Sequence, residues 1–377
     1  MDENSKLNRI ILIGNGFDRS LGMPTSYSHF LDWIFQEALK ELHSKAMKSH
    51  GLLRSSHPHS FENNLLKLEV STGNLQWIKE LIEYKKSYSE YLLERDKIKD
   101  HPAYHFIFQC KHSFIEELFS FYGQNSWVDI EQVYFKRLLE TKKESVKYFH
   151  LYFELLKKEL LKYLQTLEIN TNKGHELISK YRKHFFGKVL KYDASLQVYE
   201  ETKEKPTHYY FVNFNYTKFL SHLLDYAPES AENENTINHI HGDLNDFPII
   251  FGYGNETGEN YSKLESLGND YLENIKSTHY FNSTHYKDLE TQLNNPYEVY
   301  VYGLSCGLSD QILLNTIMQK DNCKQIRIFY NKYEGGNDNY RETLMNISRV
   351  FDDKEVMRSK IISKQKDDYI RQIKTEE

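Results

Sequence analysis

Long apolar runs are missing from this chain of 377 residues. The run Ile10-Ile11-Leu12-Ile13 is too short for the core of a secretion signal, and nothing approaches the roughly 20 residues that cross a bilayer. Cysteine is scarce: Cys110, Cys306 and Cys323 are odd in number and show no paired spacing. That argues against a disulfide framework, leaves no Cys-x-x-Cys zinc site, and suits a reducing compartment. A basic excess is missing too, since Lys and Arg number 48 against 54 Asp and Glu, with both signs interleaved. A protein that grips nucleic-acid phosphates usually carries a basic face, so nucleic acid is set aside as a partner. Internal repeats and low-complexity segments are also lacking. The expectation is a soluble cytoplasmic protein whose many tyrosines and phenylalanines help to fill a sizeable core.

What is present divides by pattern. Residues 9–14 read as a buried strand, a short Ile-rich run stopped by glycine. Helical spacing follows in Leu31, Ile34, Phe35, Ala38, Leu39, Leu42 and Ala46, and more weakly in Leu75, Ile78 and Ile82. Phe149, Phe153, Leu156, Leu160, Leu164 and Leu167 form one apolar stripe on a long helix, and a further helix is expected over 175–196. From Thr207 the pattern changes to strand-like runs at 209–213, 236–241, 248–251, 298–302 and 325–330. Strands alternating with helices predict an α/β fold with a Rossmann-like parallel sheet. The first strand lies far upstream of the rest, which implies a large helical insertion after the first βα unit. The expected segments are 1–35 and 204–345 for the sheet core, 36–203 for the insertion, and 346–377 for a terminal helix or tail.

The chemistry-bearing residues follow the expected strands. Gly14-Asn15-Gly16-Phe17-Asp18 comes directly after the first, where glycines let the backbone approach a pyrophosphate and a helix N-terminus offers free N–H groups. A tight turn explains the same glycines. Gly22-Met23-Pro24-Thr25-Ser26-Tyr27 continues the segment. Asn213-Phe214-Asn215-Tyr216-Thr217 ends the second strand, where a turn capped by asparagines is the plainer explanation. His239 and His241 stand two apart and share a face if the strand runs through both, but no third metal ligand accompanies them. Gly303-Leu304-Ser305 follows the fifth run, Asp310 reads equally well as a helix cap, and Asn331 closes what reads as the last strand. Trp127, Asp129 and Glu131 fall within the insertion and read as a buried tryptophan beside a solvated acidic turn at least as readily as substrate-contacting residues, so they are left out of the site.

Two resemblances rest on these motifs. Over residues 14–28 the chain resembles the sirtuin signature, with Gly14, Gly16, Gly22 and Pro24 in register, although Thr25 stands at an acidic position and Tyr27 at an arginine. The segment at Asn215 is similar to the sirtuin Thr-Gln-Asn-Ile-Asp motif, with Thr217 at the aspartate. His241-Gly242 matches the catalytic histidine and glycine, Gly303 to Ser305 the Gly-Thr-Ser loop, and Asn331 an asparagine contacting the adenosine half. Over most of its length the chain resembles the AbiH abortive-infection family, which shares Gly-Asn-Gly-Phe-Asp, Gly-x-Pro-Thr-Ser-Tyr, the Trp-x-Asp-x-Glu segment and Gly-x-Ser-x-x-x-x-Asp.

The sirtuin resemblance implies NAD as substrate and cleavage of its nicotinamide–ribose bond, and the AbiH resemblance implies defence by stopping growth of an infected cell. Asn215 would orient the ribose hydroxyls and a water, and His241 would accept a proton. Gly14, Gly16, Gly303 and Ser305 would hold the pyrophosphate, with Asn15, Phe17, Asp18, Pro24, Thr25, Thr217 and Asn331 completing the nucleotide site. No metal is expected. A homo-oligomer, a phage-derived trigger and no membrane complete the expectation. A sensor that binds NAD, ADP-ribose or a signal nucleotide without cleaving it is the main alternative. An NAD-linked oxidoreductase leaves Asn215 and His241 unexplained, and a nuclease lacks a metal-carboxylate constellation.

Overall fold

The computed structural model describes residues 7–49, 58–98, 105–122, 130–168, 174–225, 234–245, 248–333 and 335–370. The chain divides into two units. The first comprises Met1–Pro24, Leu167–Ser262 and Leu272–Glu377, and the second comprises Thr25–Thr166 and Lys263–Tyr271.

The first unit is built on six parallel strands: β1 (Asn8–Ile13), β2 (His208–Asn213), β3 (Glu234–His239), β4 (Tyr297–Tyr302), β5 (Cys323–Asn331) and β6 (Tyr369–Ile370). Their order across the sheet is β6-β5-β4-β1-β2-β3. The central strands β1, β2 and β4 are covered on both faces, which is why they are buried at nearly every position and show no alternation. Ile10, Leu12, Val212, Val299, Val301 and Ile328 point to one side, where Leu289, Leu314, Ile317 and Ile347 from three helices cover them. Ile11, Ile13, Phe211, Tyr300 and Tyr302 point to the other, beneath Phe17, Ile178, Tyr181, Phe185 and Leu220.

A charge is buried in this sheet without disrupting it. The Arg9 side chain in β1 is fully buried, with Nε 2.7 Å from Glu298 Oε1 on the neighbouring β4. Arg9 Nη1 also donates to the Phe185 carbonyl at 2.7 Å, and the guanidinium lies over the Tyr300 ring. Removing one partner of such a pair strands the other charge in the core, at a cost of about 3–5 kcal/mol.

The second unit contains the long helix Tyr27–Ser49, which buries Leu31, Ile34, Phe35, Ala38, Leu39, Leu42 and Ala46 as their spacing implied. The helix Val146–Gln165 likewise buries Phe149, Phe153, Leu156 and Leu164. Between these helices the chain is not purely helical. His59–Glu62, Leu66–Val70 and Phe106–Cys110 form an antiparallel sheet, with Leu66, Leu68 and Val70 turned inward at alternate positions. Glu131 is buried on the helix Ile130–Glu140, whereas Trp127 and Asp129 lie outside the described residues.

Three further expectations are corrected. The helix expected over 175–196 is Gly174–Phe186, followed by the hairpin Leu190–Asp193 and Val198–Glu201. It stops where Gly187 passes so close to the Lys183 carbonyl that a β-carbon would lie 2.4 Å from the oxygen. Residues 248–251 form no strand, although Ile249, Ile250 and Phe251 are buried. Asn331 does not close the last strand, because the charged tail contributes β6, which pairs with Tyr330 and Asn331. Among the described residues, no helix is long and apolar enough to cross a membrane.

Candidate functional site

Because the strands run parallel, all their carboxyl ends lie along one edge of the sheet, where ligands of open α/β sheets bind. Gly14, Asn215, His241, Gly303 and Asn331 follow or end β1 to β5 in turn, so the fold gathers them from distant points in the chain.

The glycines have a contact that sequence alone does not reveal. Gly16 N–H donates to the Gly303 carbonyl at 2.8 Å, and Gly14 N–H to the Tyr302 carbonyl at 3.1 Å. A β-carbon on Gly14 would lie 2.5 Å from Leu304 Cα, and one on Gly16 would lie 2.8 Å from Gly303 Cα. Gly303 adopts φ +70°, and its β-carbon would meet the Phe17 nitrogen at 2.3 Å. The loops after β1 and β4 are therefore pressed together backbone to backbone, a closeness only glycine permits. Phe17 is wholly buried among Tyr181, Phe185 and Tyr302 and is a core side chain.

Asp18 is the centre of the next layer. Its carboxylate is almost fully buried and accepts from Asn215 Nδ2 at 2.9 Å and from Thr217 Oγ1 at 2.6 Å. Asn215 Nδ2 also donates to the Gly14 carbonyl at 3.2 Å, so both of its amide hydrogens are engaged. Asn213 supports the turn, with Oδ1 accepting from Asn215 N–H and Nδ2 lying 3.3 Å from His239 Nδ1. Burial raises the Asp18 pKa to about 7, against the pull of the Thr217 and Asn215 hydrogen bonds. The acid at this edge is Asp18, on the short helix Asn15–Ser20 that follows β1.

His241 sits apart from this cluster in its bonding. β3 ends at His239, and the chain then turns, with Gly242 N–H donating to the His239 carbonyl at 2.8 Å and Gly242 at φ +77°. Strand alternation does not reach His241, so the two histidines do not form a pair on one strand face. His239 meets Asn213, whereas His241 Nε2 lies 3.2 Å from Asp310 Oδ1 and 3.2 Å from the Tyr280 hydroxyl. Lys276 Nζ meets the same Asp310 oxygen at 2.8 Å. Burial, then the Lys276 charge, lowers the His241 pKa, while Lys276 and His241 together hold Asp310 well below the usual carboxylate range. Lys276 and Tyr280 were not legible as site residues, since each stands in a polar stretch without a motif. The rings of Phe214 and Tyr216 lie 5.2 and 6.4 Å from that of His241, which brings the two clusters alongside one another.

The remaining residues are more peripheral. Ser305 is exposed, and its carbonyl accepts from Asn346 Nδ2. Asn331 Nδ2 lies 3.2 Å from where a Gly16 β-carbon would stand. Asn15 and Pro24 are part-buried, and Thr25 belongs to the second unit. Among the described residues, no three His, Cys, Asp or Glu side chains are grouped so as to hold a metal ion.

No curated protein matches the chain. The family model described as bacteriophage abortive infection AbiH matches it over residues 10–332, a span that runs from β1 through the end of β5. The chain belongs to the AbiH family of bacteriophage abortive infection.

Proposed function

We propose that this abortive-infection protein binds NAD at the carboxyl ends of β1 to β5 and hydrolyses its nicotinamide–ribose bond. NAD depletion would then halt growth of the infected cell. The observation that carries this reading is the buried Asp18–Asn215–Thr217 cluster beside the close-packed glycine loops of β1 and β4. It is a rigid polar site on the ligand-binding edge, and its carboxyl group is able to exchange a proton near neutrality.

In the reaction, the bond between ribose C1′ and the nicotinamide nitrogen breaks, and both electrons leave with nicotinamide. The leaving group departs neutral from a cationic glycoside, so no acid need protonate it. Positive charge develops on the ribose, a water oxygen bonds to C1′, and the water proton passes to a base. The products are nicotinamide, ADP-ribose and a proton. With both amide hydrogens of Asn215 committed to Asp18 and Gly14, Oδ1 is the acceptor it offers to ribose hydroxyls and water. His241, kept neutral by burial and Lys276, is the proton acceptor in this scheme. The Gly14 and Gly16 N–H groups are committed to the Tyr302 and Gly303 carbonyls, so in this reading the glycines shape the edge that the pyrophosphate lies along and Ser305 is the side chain that contacts it. Asn15, Asp18, Pro24, Thr217 and Asn331 border the nucleotide.

One observation favours a second reading, in which a nucleotide binds without being cleaved. His241 is only 3% exposed and is enclosed by Phe214, Tyr280 and Asp310. A sensor would show an NAD-dependent rise in melting temperature and no chemistry. The deciding experiment is nicotinamide release by the purified full chain beside Asn215→Ala and His241→Ala, with thermal shifts in parallel. Hydrolysis predicts release that falls at least about a hundredfold in each folded variant. Undiminished release in both overturns the site, and an NAD-dependent shift without release favours the sensor.

A further inference from the structure

Asp310 precedes the helix Gln311–Met318 in the N-cap position, yet its side chain makes no capping hydrogen bond. The carboxylate instead faces the loops after β3, where one oxygen is shared by Lys276 Nζ and His241 Nε2. Lys276 is 1% exposed. A buried ammonium placed there needs a reason beyond capping, because a neutral residue would avoid the cost of desolvating a charge.

We propose that Asp310 and Lys276 are positioning residues for His241: the shared carboxylate oxygen fixes the imidazole and sets when it takes up a second proton. The inference rests on the reading of His241 as the proton acceptor. Each ring nitrogen of His241 has an oxygen to donate to. Nε2 faces Asp310 and the Tyr280 hydroxyl, while the other hydrogen bond goes to the Phe214 backbone. A neutral imidazole carries one N–H and satisfies only one acceptor as donor, whereas the doubly protonated ring satisfies both. Asp310 thus favours the arriving proton, and the Lys276 ammonium opposes it across the same oxygen. The arrangement gives the ring a place to hold a proton during turnover without being charged at rest.

Among the described residues, the other titratable groups around the ring are few. Tyr280 stacks against it, Tyr216 lies beyond 6 Å, and the Cys306 thiol, pushed up by burial, faces Asp310. On the chain around His241, His239 is held by Asn213, and Asp243 lies 3.8 Å from Lys218 Nζ. Asp310 and Lys276 are the ion pair in direct line with Nε2.

Opposite shifts are the signature. The full chain labelled with carbon-13 histidine is titrated by NMR, with His241→Gln identifying the signal. Asp310→Asn removes the anion and keeps the cation, so the proton affinity of His241 falls about tenfold. Lys276→Met does the reverse and raises it about tenfold. The double variant Asp310→Asn with Lys276→Met, a neutral pair that avoids a stranded charge, returns it towards an intermediate value. Lys276→Arg keeps the charge and the wild-type titration. Shifts of one sign in folded variants, or none in the double variant and singles alike, overturn the proposal. The titration involves no NAD, so opposite shifts without nicotinamide release sink only the hydrolase reading. Release with unmoved titrations sinks only the role of the pair.

Discussion

The Thr217 hydroxyl donates to Asp18 Oδ2 at 2.6 Å, joining the loop after β2 to the short helix Asn15–Ser20, almost two hundred residues away in the chain. The Asp18 carboxyl group accepts from two neutral donors, Thr217 and Asn215, in a buried setting that raises its pKa to about 7. That arrangement has consequences for stability as well as chemistry.

Asp18 makes stability depend on pH with a sign opposite to that of most carboxylates. Its folded pKa of about 7 exceeds the ordinary value of 3.8, so between these values the folded state binds more protons than the unfolded one. Its favourable contribution is fully present below about pH 4 and is lost as pH rises through 7. Asp18→Asn, neutral throughout, should remove this dependence. The melting temperature of the parent relative to Asp18→Asn should therefore decline from pH 4.5 to 7.5. A constant difference across that window would mean that Asp18 ionises normally.

Thr217→Asp tests the exchange of acid between the two loops. The substitution sets two buried carboxyl groups at hydrogen-bond distance, where they can share one proton but resist carrying two charges. At pH 7.5 it should destabilise the protein by on the order of 2–4 kcal/mol, and much less at pH 5. Adding Asp18→Asn leaves a single acid on the opposite loop and should recover most of the loss. Chemical denaturation of the four proteins at both pH values provides the double-mutant cycle. Additive losses would show that the two positions do not communicate.

Gly303→Ala should cost at least about 2–3 kcal/mol, since the residue combines a positive φ with a β-carbon placed 2.3 Å from the Phe17 nitrogen. Backbone, not a flexible side chain, occupies that space. Gly73→Ala is the control, because nothing lies within 4 Å of its β-carbon and its φ is ordinary. Equal stability of the two variants in urea would mean that the loops after β1 and β4 separate at little cost.

Much of the sheet was legible because burial on both faces leaves a direct mark. Ile10 to Ile13, Phe211-Val212 and Val299 to Tyr302 are buried at every position, as strands covered on both faces require, although the similar run 249–251 is buried without forming a strand. The long helices were legible for the same reason at a different period, since Leu31 to Ala46 and Phe149 to Leu164 repeat on one face. The antiparallel sheet around Leu68 and the hairpin after Gly187 were not. Four- and five-residue strands carry too few alternations to stand out from helical spacing, and the end of the helix at Phe186 depends on backbone crowding.

The sequence by itself determined the family, the main parallel strands and the residues at their carboxyl ends, Gly14, Gly16, Asn215, His241, Gly303 and Asn331. Each of these follows or ends a strand, and parallel strands carry their chain-distant ends to one edge. Tertiary structure alone decided what those residues touch. Gly16 meets Gly303, Asp18 accepts from Thr217, and Lys276 and Asp310 close on His241. Local periodicity records which face is covered. The partner of a buried polar group depends on which distant loop the sheet brings beside it, and no pattern along the chain encodes that.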